Sequence, residues 1–150
     1  MATFNKILMK LLFKIIILLV CLPLIACNVL QEGIPDAVKA AFAKKYPGEN
    51  DPDWFFDKNG NYEAKFKKGG IHYRADFTPQ GVWVETETNI KEKELPKAIK
   101  KVIKEKYDDL KIAEIEKVES NAKGLFYDVE FKVNGTKKDV EFNASGQILN

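Results

Sequence analysis

Catalytic and metal-binding side chains are scarce in this 150-residue chain. It contains one histidine, His72, two serines, Ser120 and Ser145, and two cysteines, Cys21 and Cys27. A lone histidine removes histidine-pair metal sites and leaves zinc signatures incomplete. Both serines stand in turn-like sequence far from any base, so nucleophilic hydrolysis has no machinery to use. Past residue 27 there is no cysteine. The body of the chain therefore has no disulfide to hold it and no thiolate for catalysis or metal, and its core alone must stabilise it. A charge field of one sign is absent too. The formal charge of +2 traces to Lys6, Lys10 and Lys14, and beyond residue 26 the balance is 21 bases to 22 acids, with lysines and acids alternating. Such a surface offers no basic stripe for a phosphate backbone, which argues against nucleic acid as a partner.

No apolar run reaches bilayer length. The longest, "IIILLVCLPLIA" at residues 15–26, follows the lysine-bearing start "MATFNKILMKLLFK" and precedes the polar "NVLQEG". A spanning helix needs about 20 apolar residues, whereas this length and these flanks fit a secretory signal. The run ends in Leu24-Ile25-Ala26-Cys27, which resembles the lipobox of bacterial lipoproteins. The resemblance implies that Cys27 is acylated on its thiol and becomes the first mature residue of an exported protein. That protein would be held on a bacterial membrane, at its periplasmic side or at the cell surface. Two or three acyl chains, at about 0.8 kcal/mol per buried methylene, anchor a soluble domain firmly. The expected division is a signal peptide at 1–26, an anchor and linker at 27–33, and a folded domain at 34–150.

The folded part reads as a duplication. Ile34, Ala37, Val38, Ala41, Phe42 and Tyr46 lie on one face of a helix, and Leu95, Ala98, Ile99, Val102, Ile103 and Tyr107 take the same places in a second one. Pro35 and Pro96 stand where a helix start tolerates proline. After each helix the period changes to two. Tyr62, Ala64 and Phe66 alternate with Glu63, Lys65 and Lys67, then Ile71, Tyr73, Ala75 and Phe77 with His72, Arg74 and Asp76. Gly69-Gly70 and Asn134-Gly135 read as hairpin turns, and "TPQG" matches "NASG" as the closing turn. The expected fold is α+β, with two tandem repeats at 34–88 and 95–150. Each is one helix plus a four-stranded antiparallel meander, the helices lying on one face of a curved sheet that can run on through both repeats.

The helices "IPDAVKAAFAKKY" and "LPKAIKKVIKEKY", followed by meanders ending "DFTPQGVWV" and "EFNASGQIL", resemble the PepSY-like, beta-lactamase-inhibitor-like lipoproteins of Gram-negative bacteria. The resemblance runs over about residues 33–150. It implies an exported, non-enzymatic domain that grips a protein with its open sheet face and hairpin loops. One departure matters. The inhibitor that gives the family its name has disulfide-closed repeats, and this folded part has no cysteine pair, so β-lactamase inhibition itself is not expected.

Two sets of residues remain as site candidates. Trp54, Phe55 and Phe56 are consecutive, so a strand sends at least one of them to the face opposite the helices. With Trp83 they could form an apolar spot rimmed by Glu63, Lys65, Lys67, Arg74 and Asp76, the anatomy of a surface that binds a protein or peptide. The alternating charges at Asp128, Glu130, Lys132, Lys137, Asp139 and Glu141 read as a solvated face. Separately, Asp53, Asp57, Asn59 and Asn61 supply oxygens of the kind calcium prefers, at a spacing that does not match a helix–loop–helix calcium loop. The leading expectation is a lipid-anchored binding module without a cofactor. The alternative is an envelope sensor that answers calcium or a small ligand through residues 51–63.

Overall fold

The computed structural model describes residues 33–150. The expected signal peptide and Cys27 lie outside these residues. Helix α1 (Asp36–Lys45) and helix α2 (Lys97–Lys106) each start directly behind a proline, with φ of −56° at Pro35 and −51° at Pro96. Proline is already fixed near the helical φ, and its missing N–H is one that a first turn leaves unpaired. Lysines fill both last turns, Lys44 and Lys45 in α1 and Lys104 and Lys106 in α2, where the helix dipole favours positive charge.

The strands are β1 (Asp53–Phe56), β2 (Tyr62–Lys68), β3 (Ile71–Phe77) and β4 (Trp83–Asn89) before α2, then β5 (Lys111–Ser120), β6 (Gly124–Val133) and β7 (Thr136–Phe142) after it. They form one open sheet in the order β1-β2-β3-β4-β5-β6-β7, and each neighbouring pair is antiparallel. The two halves join where Glu85–Asn89 of β4 pair with Glu116–Ser120 of β5. The second half departs from the expected meander. It has three strands rather than four, and Ile148 adds only a single bridge to Phe142.

Register places both helices on one side of the sheet. Ala75 pairs with Thr86, Thr86 with Glu119 and Glu119 with Leu125, so these residues share a face, and Tyr127, two residues beyond Leu125, shares it too. On that face Val38, Phe42 and Tyr46 of α1 pack on Ala64, Phe66, Ala75 and Phe77. Leu95, Ile99 and Ile103 pack on Tyr127, Val129, Phe131, Val140 and Phe142. The small side chains of Ala64 and Ala75 let α1 settle close to β2 and β3, and Phe42 meets Phe66 edge-on at 5.1 Å. Each fully buried large side chain contributes about 1.5–3 kcal/mol relative to exposure. The core is thus two helix-to-sheet contacts, one under each helix.

One polar knot sits within the first of them. The hydroxyls of Tyr46 and Thr86 are hydrogen-bonded, and Trp83 Nε1 donates to Thr86 Oγ1 at 2.9 Å. Burial pushes the Tyr46 phenol up to about 12, with the Thr86 hydrogen bond acting against it.

Candidate protein-binding face

The other side of the sheet carries no covering helix or strand among the described residues. Strand alternation decides what it presents. On β1 and β2 it shows Asp53, Phe55, Glu63, Lys65 and Lys67, and on β3 it shows His72, Arg74 and Asp76. The pairings then carry the same face across Glu85 and Glu87 of β4 to Glu114 and Glu116 of β5, and on to Asp128 and Glu130 of β6. The centre of the face is therefore rich in carboxylates, and Arg74 is the cation among them.

Arg74 acts as a clamp and not as a free hook. Its guanidinium pairs with Glu63 at 3.3 Å, with Glu116 at 3.5 Å and with Glu87, so it ties β2, β3, β4 and β5 together. Lys65 is also engaged, with its Nζ 3.1 Å from Glu63 and 4.3 Å from the centre of the Phe55 ring. Phe55 still leaves 48% of its surface exposed and is the aromatic of the expected set that stands on this face.

Several carboxyls here are short of partners. Asp76 Oδ1 and Asp128 Oδ1 are out of solvent contact with no hydrogen-bond donor among the described residues. Burial, and then the neighbouring Glu63, Asp57 and Glu85 charges, push Asp76 up to about 6, and Arg74 only partly offsets this. Asp128 is likewise pushed up to about 6, by burial first and then by Asp139, Glu141 and Glu116. Glu116 is raised by burial despite Arg74. Towards the β5–β6 turn the face has an apolar floor, since Val118 and Phe126 form a cross-strand pair on it and are 1% and 5% exposed. Lys123 closes that end, 2.6 Å from Glu141 and 5.1 Å from the Phe126 ring.

Two of the expected aromatic anchors lie elsewhere. Trp54 pairs with Ala64 and turns to the helix side, where it meets Phe42 edge-on at 5.5 Å. Trp83 also faces the helices, held by Thr86 and capped by Lys45 at 3.4 Å from its ring. The reason is register: Trp54 pairs with Ala64 and Trp83 with Phe77, both on the helix side, and the two indoles pack against the first core contact. Phe56 is on the helix side as well, at the sheet edge beside Tyr62 and 64% exposed.

Of the calcium candidates, Asp57, Asn59 and Asn61 stand together in one turn, with both asparagines hydrogen-bonded to Asp57. Asp57 Oδ1 accepts from the backbone N–H of Asn59 and of Asn61, both at 2.8 Å, and so closes the turn between β1 and β2. Burial alone would raise the Asp57 carboxyl, and the hydrogen bonds from Asn61 and Asn59 together outweigh it and hold it below its ordinary value. Among the described residues no group of three His, Cys, Asp or Glu side chains is placed to hold a metal ion. A cleft of about 350 Å³ opens between α1 and β1, lined in part by Lys39, Phe42, Asp51 and Trp54, and it includes none of Asp53, Asp57, Asn59 and Asn61.

Sequence reasoning did not bring Glu85, Glu87, Glu116 and Asp128 to the site. Their alternation was readable, but only cross-strand pairing assembles them: β3–β4 sets Glu87 beside Arg74 and Glu85 beside Asp76, β4–β5 brings up Glu116, and β5–β6 adds Asp128.

The family model described as "Putative beta-lactamase-inhibitor-like, PepSY-like" matches residues 60–149. No curated protein matches the chain. Among solved structures, the chain is similar to a BLIP-like protein from Bacteroides fragilis, at 23% identity and a TM-score of 0.69, over 81% of this chain and 87% of that one. A DUF2874 family protein from Bacteroides uniformis matches at 25% identity and a TM-score of 0.70, over 77% and 86%. A structure from Bacteroides eggerthii, described as "putative periplasmic proteins", matches at 23% and 0.69, over 79% and 87%.

Proposed function

Because this chain belongs to the PepSY-like, beta-lactamase-inhibitor-like family, we propose that it is a non-enzymatic binding module of the bacterial envelope. Its open sheet face takes a protein or peptide partner. The observation that carries this reading is a sheet face that no helix or strand covers among the described residues, whose half-buried carboxylates exceed their cations and leave Asp76 Oδ1 and Asp128 Oδ1 without donors among those residues. A buried carboxylate lacking a donor is costly, and lysine or arginine side chains of a partner would supply both charge and hydrogen bonds. The partner's contact segment is therefore cationic. Phe55, about half exposed at one end of the face, adds apolar contact.

Three further readings belong to this proposal. Cys27 carries the acyl anchor, and the chain is exported, in keeping with its lipobox-like sequence and with the description of the B. eggerthii relative. Residues 34–88 and 95–150 are tandem copies. In support, each helix rests its first turn on a glycine turn, Gly81 beneath Ala37 and Gly146 beneath Ala98.

Cross-linking capture from an envelope extract, with the full chain as bait, tests the proposal. Recovery of one dominant partner, lost on Asp76→Lys with Asp128→Lys and reduced on Phe55→Asp, is expected. Capture that persists unchanged in both variants would remove this face from the binding role.

A further inference from the structure

We infer that the outer surface of the two helices docks on an anionic lipid bilayer and turns the open sheet face away from the membrane. This inference rests on the lipid-anchor reading of Cys27. Charge is divided between the two sides of the domain. Residues 34–46 and 91–107, which build the helix layer, hold three lysines to one acid and seven lysines to three acids, a surplus of six positive charges. The opposite face centres on Asp76, Glu85, Glu87, Glu116 and Asp128 around the single Arg74. An anionic surface attracts the first side and repels the second, so the domain has one favoured orientation above it.

The tether brings the same side to the membrane. Cys27 lies seven residues before Ile34, a separation that an extended chain spans in at most about 25 Å. Ile34 is two residues ahead of α1, so the chain enters the domain at the helix layer. Docking on so short a tether is an intramolecular event, and the modest pull of each lysine on anionic headgroups is then sufficient in sum.

The surface chemistry sets the mode of contact. On α1 the exposed positions include Ala37, Lys39, Ala40, Ala43 and Lys44, and on α2 they include Lys97, Lys101 and Lys104. No large apolar side chain is exposed on either helix. Contact is therefore with headgroups and not by insertion, and it is sensitive to salt. The ion pairs on these helices, Lys39–Asp36 at 3.9 Å and Lys101–Glu105 at 3.8 Å, are loose and exposed and give way readily.

The test reconstitutes the full acylated chain on vesicles of phosphatidylcholine, alone or with phosphatidylglycerol. A fluorophore is placed at Ala40→Cys or, on the open face, at Lys67→Cys, and headgroup-attached quenchers report proximity. Severalfold stronger quenching at position 40 than at position 67 is expected on anionic vesicles only. It should be lost in the Lys97→Glu, Lys101→Glu, Lys104→Glu variant and in about 1 M salt, where the screening length falls to about 3 Å. Equal quenching at the two positions, on vesicles that the chain does float with, would overturn the orientation while leaving the anchor intact. A chain that floats with neither vesicle would remove the anchor and the orientation with it. Protection of position 40 that appears without vesicles and grows with protein concentration would assign the helix layer to the acidic face of a second copy instead.

Discussion

Gly81 lies so close beneath Ala37 that a Cβ on it would stand 2.5 Å from the Ala37 carbonyl oxygen, and its φ is +80°. Gly146 holds the matching position under Ala98 with more room, 3.0 Å to the carbonyl oxygen, at a φ of +86°. Gly81→Ala combines left-handed strain with a backbone clash and should destabilise by about 2–4 kcal/mol. Gly146→Ala should cost less, about 1–2 kcal/mol, dominated by the strain. Denaturant melts of the two variants check the order.

Arg74 is the cation that Glu63, Glu87 and Glu116 share, and its side chain is 38% exposed. Solvent screening moderates its contribution, so Arg74→Met should cost about 1–2 kcal/mol at pH 7. The loss should shrink at acidic pH, as Glu116, which burial raises above its ordinary value, gives up the charge that Arg74 answers. A loss of equal size at both pH values would mean that side-chain packing, and not charge, accounts for it.

Stability should fall as pH rises from about 4 to above 6. The cause is Asp76 and Asp128, each raised from 3.8 to about 6 in the fold. Below the unfolded value both states hold these protons and the contribution is whole. Through the window between the two values the unfolded chain ionises first, and the native state loses its advantage. Exposure reduces the effect to the order of 1 kcal/mol per group. Asp57, held low by its turn, acts in the opposite sense only at more acidic pH. Thermal melts at fixed ionic strength should show a higher Tm at pH 5 than at pH 7.5. Asp76→Asn with Asp128→Asn should raise the Tm at pH 7.5 and flatten the profile.

Thr86 is the shared partner of Tyr46 and Trp83. Thr86→Val keeps the shape but strands a buried phenol and an indole N–H, at a cost of about 1–3 kcal/mol. Tyr46→Phe removes one partner and leaves the Trp83 bond in place, so it should cost less. Urea melts of both variants, read by tryptophan fluorescence, measure the difference.

The amino-acid sequence determined the local elements and their inward faces. Proline at each helix start, the 3.6-residue stripes through Val38 and Phe42 and through Ile99 and Ile103, and the period-two strands around Ala64, Phe66, Val129 and Phe131 all read correctly, because each is a pattern carried within one element. The low histidine, serine and cysteine content also narrowed the chemistry open to the chain. Tertiary structure alone decided the site. Trp54 and Trp83 looked equally able to face either way, and only their pairing with Ala64 and Phe77 set them on the helix side while Phe55 stayed outside. The carboxylates of β6 looked like ordinary solvated alternation and those of β4 and β5 drew no reading, until the β3–β4 and β4–β5 pairings set Glu87 and Glu116 on Arg74. Cross-strand register is a long-range property, and a single strand's sequence records which residues share a face but not which strand will lie beside it.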